Sequence, residues 1–217
     1  MNAKKISLSF TYVTVHKVRR ILKSLKNKTS TSADQLDNRA VKLAADFIAS
    51  CHHTVNNTAK VSQVLENFQN SSFKQKKNSP LKVENYRPVS TLSPLSKILE
   101  KVVYEQIYRN FEKNSLFLEA LHGYRKNRST MTALICMYDK WVKAASEGNV
   151  SGVVLADLSA AFDLVPPDLL VKKLKIYGLK DEVISWLNSY LTNRYQMVWI
   201  DHTCSDLLEN STGVPQG

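Results

Sequence analysis

Asp157 closes a short apolar run, Gly152–Ala156 (GVVLA), and is followed by the small residues Ser159, Ala160 and Ala161. An apolar, β-branched run between a glycine and an aspartate reads as a strand covered on both faces, which delivers the carboxylate at the strand's exit. Small side chains beyond it leave room near the main chain for a phosphate and a hard cation. Mg2+ suits such a place because it takes few protein carboxylates and completes its octahedron with phosphate oxygens and water. Phe162 stands five residues after Asp157, where a tight strand-to-helix turn could set its ring against a sugar. Taken alone these residues have plainer readings, which stay open: a carboxylate after a strand is more often a helix cap, and a phenylalanine more often core.

Three further groups have the chemistry to meet phosphates or bases. Arg87 lies in NYRP, and its planar fork matches phosphate oxygens, although an exposed turn arginine is the ordinary reading. HGYRKNRST holds Arg125, Lys126 and Arg128, which could follow a nucleic-acid backbone or simply be solvated charge beside a turn at Gly123 and a cap at Ser129. GVPQG carries Gln216 and Gly217 behind the stiff Pro215, and by itself reads as a surface loop. Cys51-His52-His53 lacks the spacing of a zinc site, and Cys136 and Cys204 form no Cys-x-x-Cys pair with it, so reduced thiols are expected.

The elements that must position these groups follow from periodicity. Val15, Val18, Ile21, Leu22 and Leu25 lie at helical spacing with His16, Lys17, Arg19, Arg20, Lys23 and Lys26 between them, an amphipathic helix with a basic outer face. Asn38 to about Cys51 suits a second helix capped by Asp37 or Asn38. Residues 56–83 show neither period and read as a polar loop. Leu95, Leu99, Val103, Ile107 and Phe111 form an i+4 row on a helix near Pro94–Glu112. A further helix, capped by Ser129 or Thr130 and stopped by Gly148, is expected to bury Leu134, Tyr138, Trp141 and Ala145. Pro166 and Pro167 open the next helix and Gly178 ends it. Asp181 is expected to cap one more, which buries Ile184, Leu187 and Leu191, before a strand at Tyr195–Ile200 paired with a following one. Helices come first and strands gather late, an α+β order.

Charge is divided unevenly. The 217 residues carry a net charge of +11; residues 1–87 hold 16 Lys/Arg against 5 Asp/Glu, and residues 88–217 hold 14 of each. A basic excess confined to one region attracts polyanions, nucleic acid first among them, although a solubilising surface is the plain alternative. No run of eighteen apolar residues and no signal peptide stand in the sequence, so an intracellular protein without a membrane partner is expected.

NYRPVSTLSPLSKILEKVV, HGYRKNRST, GVVLADLSAAFDLV, WLNSYLTNRYQMVWID and GVPQG occur in one order at sensible intervals. In that order they resemble the reverse transcriptase of non-LTR, LINE-like retrotransposons, from Asn85 to Gly217 and more weakly back to Val15–Asn27 and STSADQLDN. The resemblance implies a right-hand polymerase, mostly helical with a few antiparallel strands. Residues 1–84 would be the basic helical N-terminal region of the fingers with its polar loop at about 56–83, residues 85–150 the fingers, and residues 151–217 a partial palm. It also implies roles. Asp157 would be the first of three catalytic carboxylates and bind both Mg2+ ions, assisted by the Leu158 carbonyl. Phe162 would lie beneath the incoming sugar and exclude a 2′-hydroxyl. Arg87 would grip the triphosphate, with Lys76 and Lys77 standing in weakly for a basic pair upstream. Arg125, Lys126 and Arg128 would run along the template strand, and Gln216 and Gly217 would position the template base and the incoming nucleotide. Asp163 is better placed to brace the turn than to bind metal. RNA template, DNA primer and dNTPs are the implied partners.

Two-metal phosphoryl transfer needs several carboxylates to hold cations about 4 Å apart. The family supplies the other two in an aromatic-x-Asp-Asp hairpin, and no Asp-Asp pair occurs in these residues. The sequence therefore reads as fingers and an incomplete palm, without that hairpin or the thumb, inactive alone and with apolar surface and a strand edge exposed. A non-catalytic nucleic-acid-binding module and a relic without function are the alternatives.

Overall fold

A computed structural model describes residues 7–25, 37–49, 68–75, 86–158, 160–200 and 203–215. They form two compact units, residues 1–108 with 160–217, and residues 109–159.

The first unit begins with helix α1 (Val15–Lys23), opened by the Thr14 hydroxyl, which accepts from the Lys17 amide. Helix α2 (Asn38–Leu43) starts where the Asp37 carboxylate accepts from the Arg39 amide, and residues 45–49 are helical again after a turn at Ala44. Both caps satisfy amides that the first helical turn leaves without a backbone partner. Val18, Ile21 and Leu22 of α1, Val41 of α2, Ala45 and Ala49 are buried together with Ile98 and Val102. This is the expected apolar stripe; each fully buried Val, Ile or Leu contributes about 1.5–3 kcal/mol by leaving water.

Ile98 and Val102 come from helix α3 (Pro94–Lys113), whose buried residues also include Leu99 and Tyr108. The expected row of Leu95, Leu99, Val103, Ile107 and Phe111 is correct for the helix and only partly for its buried face. An i+4 row drifts about 40° per step on a helix of 3.6 residues per turn, so it cannot stay on one face over four steps.

Strands β1 (Phe68–Gln75) and β2 (Tyr86–Thr91) pair antiparallel, and β1 pairs parallel with β3 (Arg194–Ile200). β3 also takes β4 (Thr203–Cys204) and β5 (Leu208–Asn210) antiparallel, which gives a small, mostly antiparallel five-stranded sheet. β1 corrects the reading of 56–83 as a loop. Its sequence, FQNSSFKQ, has little strand propensity, but its backbone is paired on both edges, and such pairing overrides propensity. Pro88 sits in β2, at the edge of the described sheet, where a residue without an N–H is tolerated.

Helix α5 (Pro167–Ile176) starts at the expected prolines and gives way to Gly178 at φ +85. Helix α6 (Asp181–Leu191) follows with Lys180 in the cap position. Asp181 is thus not the cap; it lies in the first turn with Glu182, where a carboxylate favours the helix dipole. α6 buries Val183, Leu187 and Leu191. Leu8 bridges to Leu179 through Leu8 N–Gly178 O and Lys180 N–Leu8 O, both 2.9 Å. Phe10 meets Trp186 edge-on at 5.8 Å, so the segment before α1 is laced to α6.

The second unit holds the end of α3, a loop, helix α4 (Thr130–Ser146) and residues 147–158. Ser129 caps α4 in a reciprocal box with Thr132, as its position predicts. Gly148 follows at φ +73. α4 buries none of its residues. Leu134, Tyr138, Trp141 and Ala145, expected in a core, are all exposed.

Residues 151–158 form no strand. GVVLA has strand composition, but a strand exists only if neighbours take its N–H and C=O groups, and none pairs with it among the described residues. Val154 and Leu155 are 94% and 87% exposed. No helix of the described residues is long and apolar enough to cross a membrane.

Candidate functional site

Asp157 and Leu158 end the exposed segment 151–158 of the second unit. Asp157 is therefore carried by a segment without strand structure and not by the exit of a paired strand. Among the described residues no three His, Cys, Asp or Glu side chains are gathered as a metal site. One carboxylate and one carbonyl do not make the donor set of a two-cation centre, so these residues by themselves do not fit one.

The turn beyond belongs to the first unit. Ala160 adopts φ +52, and its carbonyl accepts from the amides of Asp163 (3.0 Å) and Leu164 (3.2 Å). This folds the chain sharply and leaves Phe162 37% exposed at the turn. The loop that leads to Gln216 docks on the same turn: the Val214 amide donates to the Phe162 carbonyl at 2.9 Å, and the Gly213 amide to the Val165 carbonyl at 2.8 Å. Gly213 is buried at φ +84, and a Cβ there would lie 2.8 Å from the Asp163 carbonyl oxygen. Only glycine allows this backbone and this approach. Two sequence motifs about fifty residues apart are thereby stitched main chain to main chain. Gln216 and Gly217 lie outside the described residues, as do Ser159, Lys76, Lys77 and Cys51-His52-His53.

Arg87 sits in β2 opposite Lys74 of β1. The two positions are Cα partners in the antiparallel pair.

Arg125, Lys126 and Arg128 occupy a turn in the second unit, where Tyr124 and Asn127 take φ +58 and +59. They are not equivalent. The Arg125 guanidinium pairs with Glu112 at 3.2 Å, donates to the Leu118 carbonyl at 3.3 Å and lies 5.1 Å from the Phe117 ring centre. It ties the loop to the end of α3. Lys126 is exposed and Arg128 half-buried.

Sequence reasoning missed a polar pair between α3 and α6. Tyr190 donates a hydrogen bond to Glu100. Burial raises the pKa of Glu100 above the usual carboxylate value, while the Tyr190 bond, Lys97 and Arg194 act against the rise. No spacing rule links residues ninety positions apart on different helices, so no sequence signal pointed to it.

The chain matches the reverse transcriptase (RNA-dependent DNA polymerase) family over residues 74–217, and it belongs to that family. Among its relatives is the RNA-directed DNA polymerase from mobile element jockey, 25% identical in Drosophila funebris over 94% of this chain and 24% identical in Drosophila melanogaster over 98%. A probable RNA-directed DNA polymerase from transposon BS of Drosophila melanogaster is 29% identical over 62% of the chain. The chain spans about a quarter of the jockey polymerases, 23% and 24% of their lengths.

Proposed function

We propose that the chain supplies the fingers and the start of the palm of a retrotransposon RNA-directed DNA polymerase. Residues 1–84 and 85–150 are assigned to the fingers, and 151–217 to the palm. The observation that carries this reading is the docking of Gly213 and Val214 on the turn 160–165. It couples the aromatic residue assigned to the incoming sugar, Phe162, to the loop assigned to the template base.

In this reading Asp157 and the Leu158 carbonyl are one share of a Mg2+ site whose other carboxylates must come from elsewhere. Arg87 holds triphosphate oxygens in a fork that a lysine cannot match. Gln216 and Gly217 meet the template base and incoming dNTP. Lys126 and Arg128 take template phosphates, with Arg125 shaping the turn that presents them. An RNA template, a DNA primer and dNTPs are the proposed partners.

The test is a fusion to the downstream region of a jockey-type polymerase, assayed for Mg2+-dependent extension of a primer on RNA. The fusion is expected to extend, and Asp157→Asn to abolish extension. Extension by the Asp157→Asn fusion would overturn the assignment of the first carboxylate.

A second reading, a nucleic-acid-binding module without chemistry, is favoured by the basic excess of residues 1–87. Salt-dependent RNA binding by the chain, together with an inactive fusion, would support it.

A further inference from the structure

A cleft of about 550 Å3 opens between α3 and α6 in the first unit, with Val214 and Pro215 among its lining residues. One wall is aromatic: Trp186 and Tyr190 stack at 5.5 Å with their planes 7° apart, and Phe10 braces Trp186 from the side. Across the cleft Tyr104 is 50% exposed. Lys97 and Lys101 line it too, one helical turn apart.

Lys101 Nζ lies 3.4 Å from Ser24 Oγ at the end of α1, and beyond it Lys17 of α1 pairs with Glu105 at 2.8 Å. Aromatic rings beside a track of cations match one class of ligand, a single-stranded nucleic acid, whose bases stack while its phosphates follow the charge. An apolar peptide leaves the lysines unused, and a duplex keeps its base faces covered.

We propose that this cleft is a binding site for a base of single-stranded RNA, stacked at Tyr104 beside the Trp186–Tyr190 wall, with the flanking phosphates on Lys97 and Lys101. The site is separate from the residues assigned to polymerisation, though Val214 and Pro215 connect its lining to the loop before Gln216. Glu100 lies on the same lining, where Tyr190 donates to it and burial raises its pKa, which favours its uncharged form. A carboxyl oxygen there can accept from the exocyclic amine of a base. This inference rests on the reading that nucleic acid is the partner of the chain.

The test uses the whole chain and a fluorescein-labelled single-stranded RNA of twelve nucleotides, followed by fluorescence anisotropy at several salt concentrations. Tyr104→Leu keeps apolar cover and removes the π face; it is expected to weaken binding roughly tenfold. The double substitution Lys97→Ala/Lys101→Ala is expected to flatten the log–log salt slope by about 1.4. Photo-crosslinking of the unaltered chain to the same RNA carrying 4-thiouridine, with peptide mapping, is expected to label the segments around Tyr104 and Trp186 and needs no variant to fold. Unchanged affinity in Tyr104→Leu, crosslinks only elsewhere, or equal binding of the matching duplex would each overturn the cleft while leaving the polymerase reading intact. That reading fails separately, on the extension assay.

Discussion

Gly213 and Asp163 touch main chain to main chain. The space for a Cβ at position 213 is filled by the Asp163 carbonyl, 2.8 Å away, and by its Cα at 3.0 Å. It is the backbone of Asp163 that makes this contact, giving the GVPQG loop a surface that only glycine can approach.

Gly213→Ala is therefore expected to destabilise the first unit by about 1–3 kcal/mol, combining left-handed strain with a contact that must open. Chemical denaturation measures it. A loss under about 0.5 kcal/mol would mean that the loop does not dock on the turn.

Arg125→Ala removes an ion pair, a carbonyl hydrogen bond and a ring contact at once. Hydrogen bonds to charged groups contribute about 1.5–3 kcal/mol, so amide exchange in residues 109–129 should quicken while that of α1 is unchanged. Arg125→Lys is expected to restore little, because an ammonium offers no planar fork. Full protection in Arg125→Ala would show that the knot does not hold the loop.

Leu22 and Leu134 are both leucines at helical spacing in amphipathic segments, yet one is fully buried and the other exposed. Leu22→Ala should cost about 2–5 kcal/mol, and Leu134→Ala should stay within about 0.5 kcal/mol. Equal costs in thermal or denaturant unfolding would show that α4 is covered.

Two glutamates of α3 should pull stability in opposite directions with pH. Glu100 is raised above 4.5, chiefly by burial, so its contribution is fully present below 4.5 and is lost as pH rises through the raised value. Glu105 is lowered below 4.5, chiefly by its bond with Lys17 at 2.8 Å; its contribution is present above 4.5 and lost as pH falls through the lowered value. Glu100→Gln should flatten the stability curve above pH 4.5, and Glu105→Gln below it. Matching curves for the two variants would refute the assignment.

The helices were largely legible in the sequence. α1, α2, α3, α5 and α6 stand where the spacing placed them, and α3 and α5 open at the prolines that mark them, since caps and breakers are local chemistry. α2 nevertheless breaks at Ala44, and Lys180 takes the cap position expected of Asp181. The sheet was less so. β1 was hidden in a polar stretch, and GVVLA looked like a strand and is none, because strands depend on partners far along the chain. The candidate site followed the same division: its residue types could be named one by one, while the docking of Gly213 on the turn and the bond from Tyr190 to Glu100 could not.

The order of motifs in the sequence by itself determined the family, and with it which residues to ask about. The existence of the helices and the basic excess of the first 87 residues were legible there too, because both are local properties of the chain. Tertiary structure alone decided which apolar faces are buried, which segments pair, and that the loop before Gln216 rests on the turn holding Phe162. Those outcomes depend on backbone groups and side chains that meet beyond their own segment, as β1 meets β3 and Gly213 meets Asp163. Local composition carries no record of such meetings.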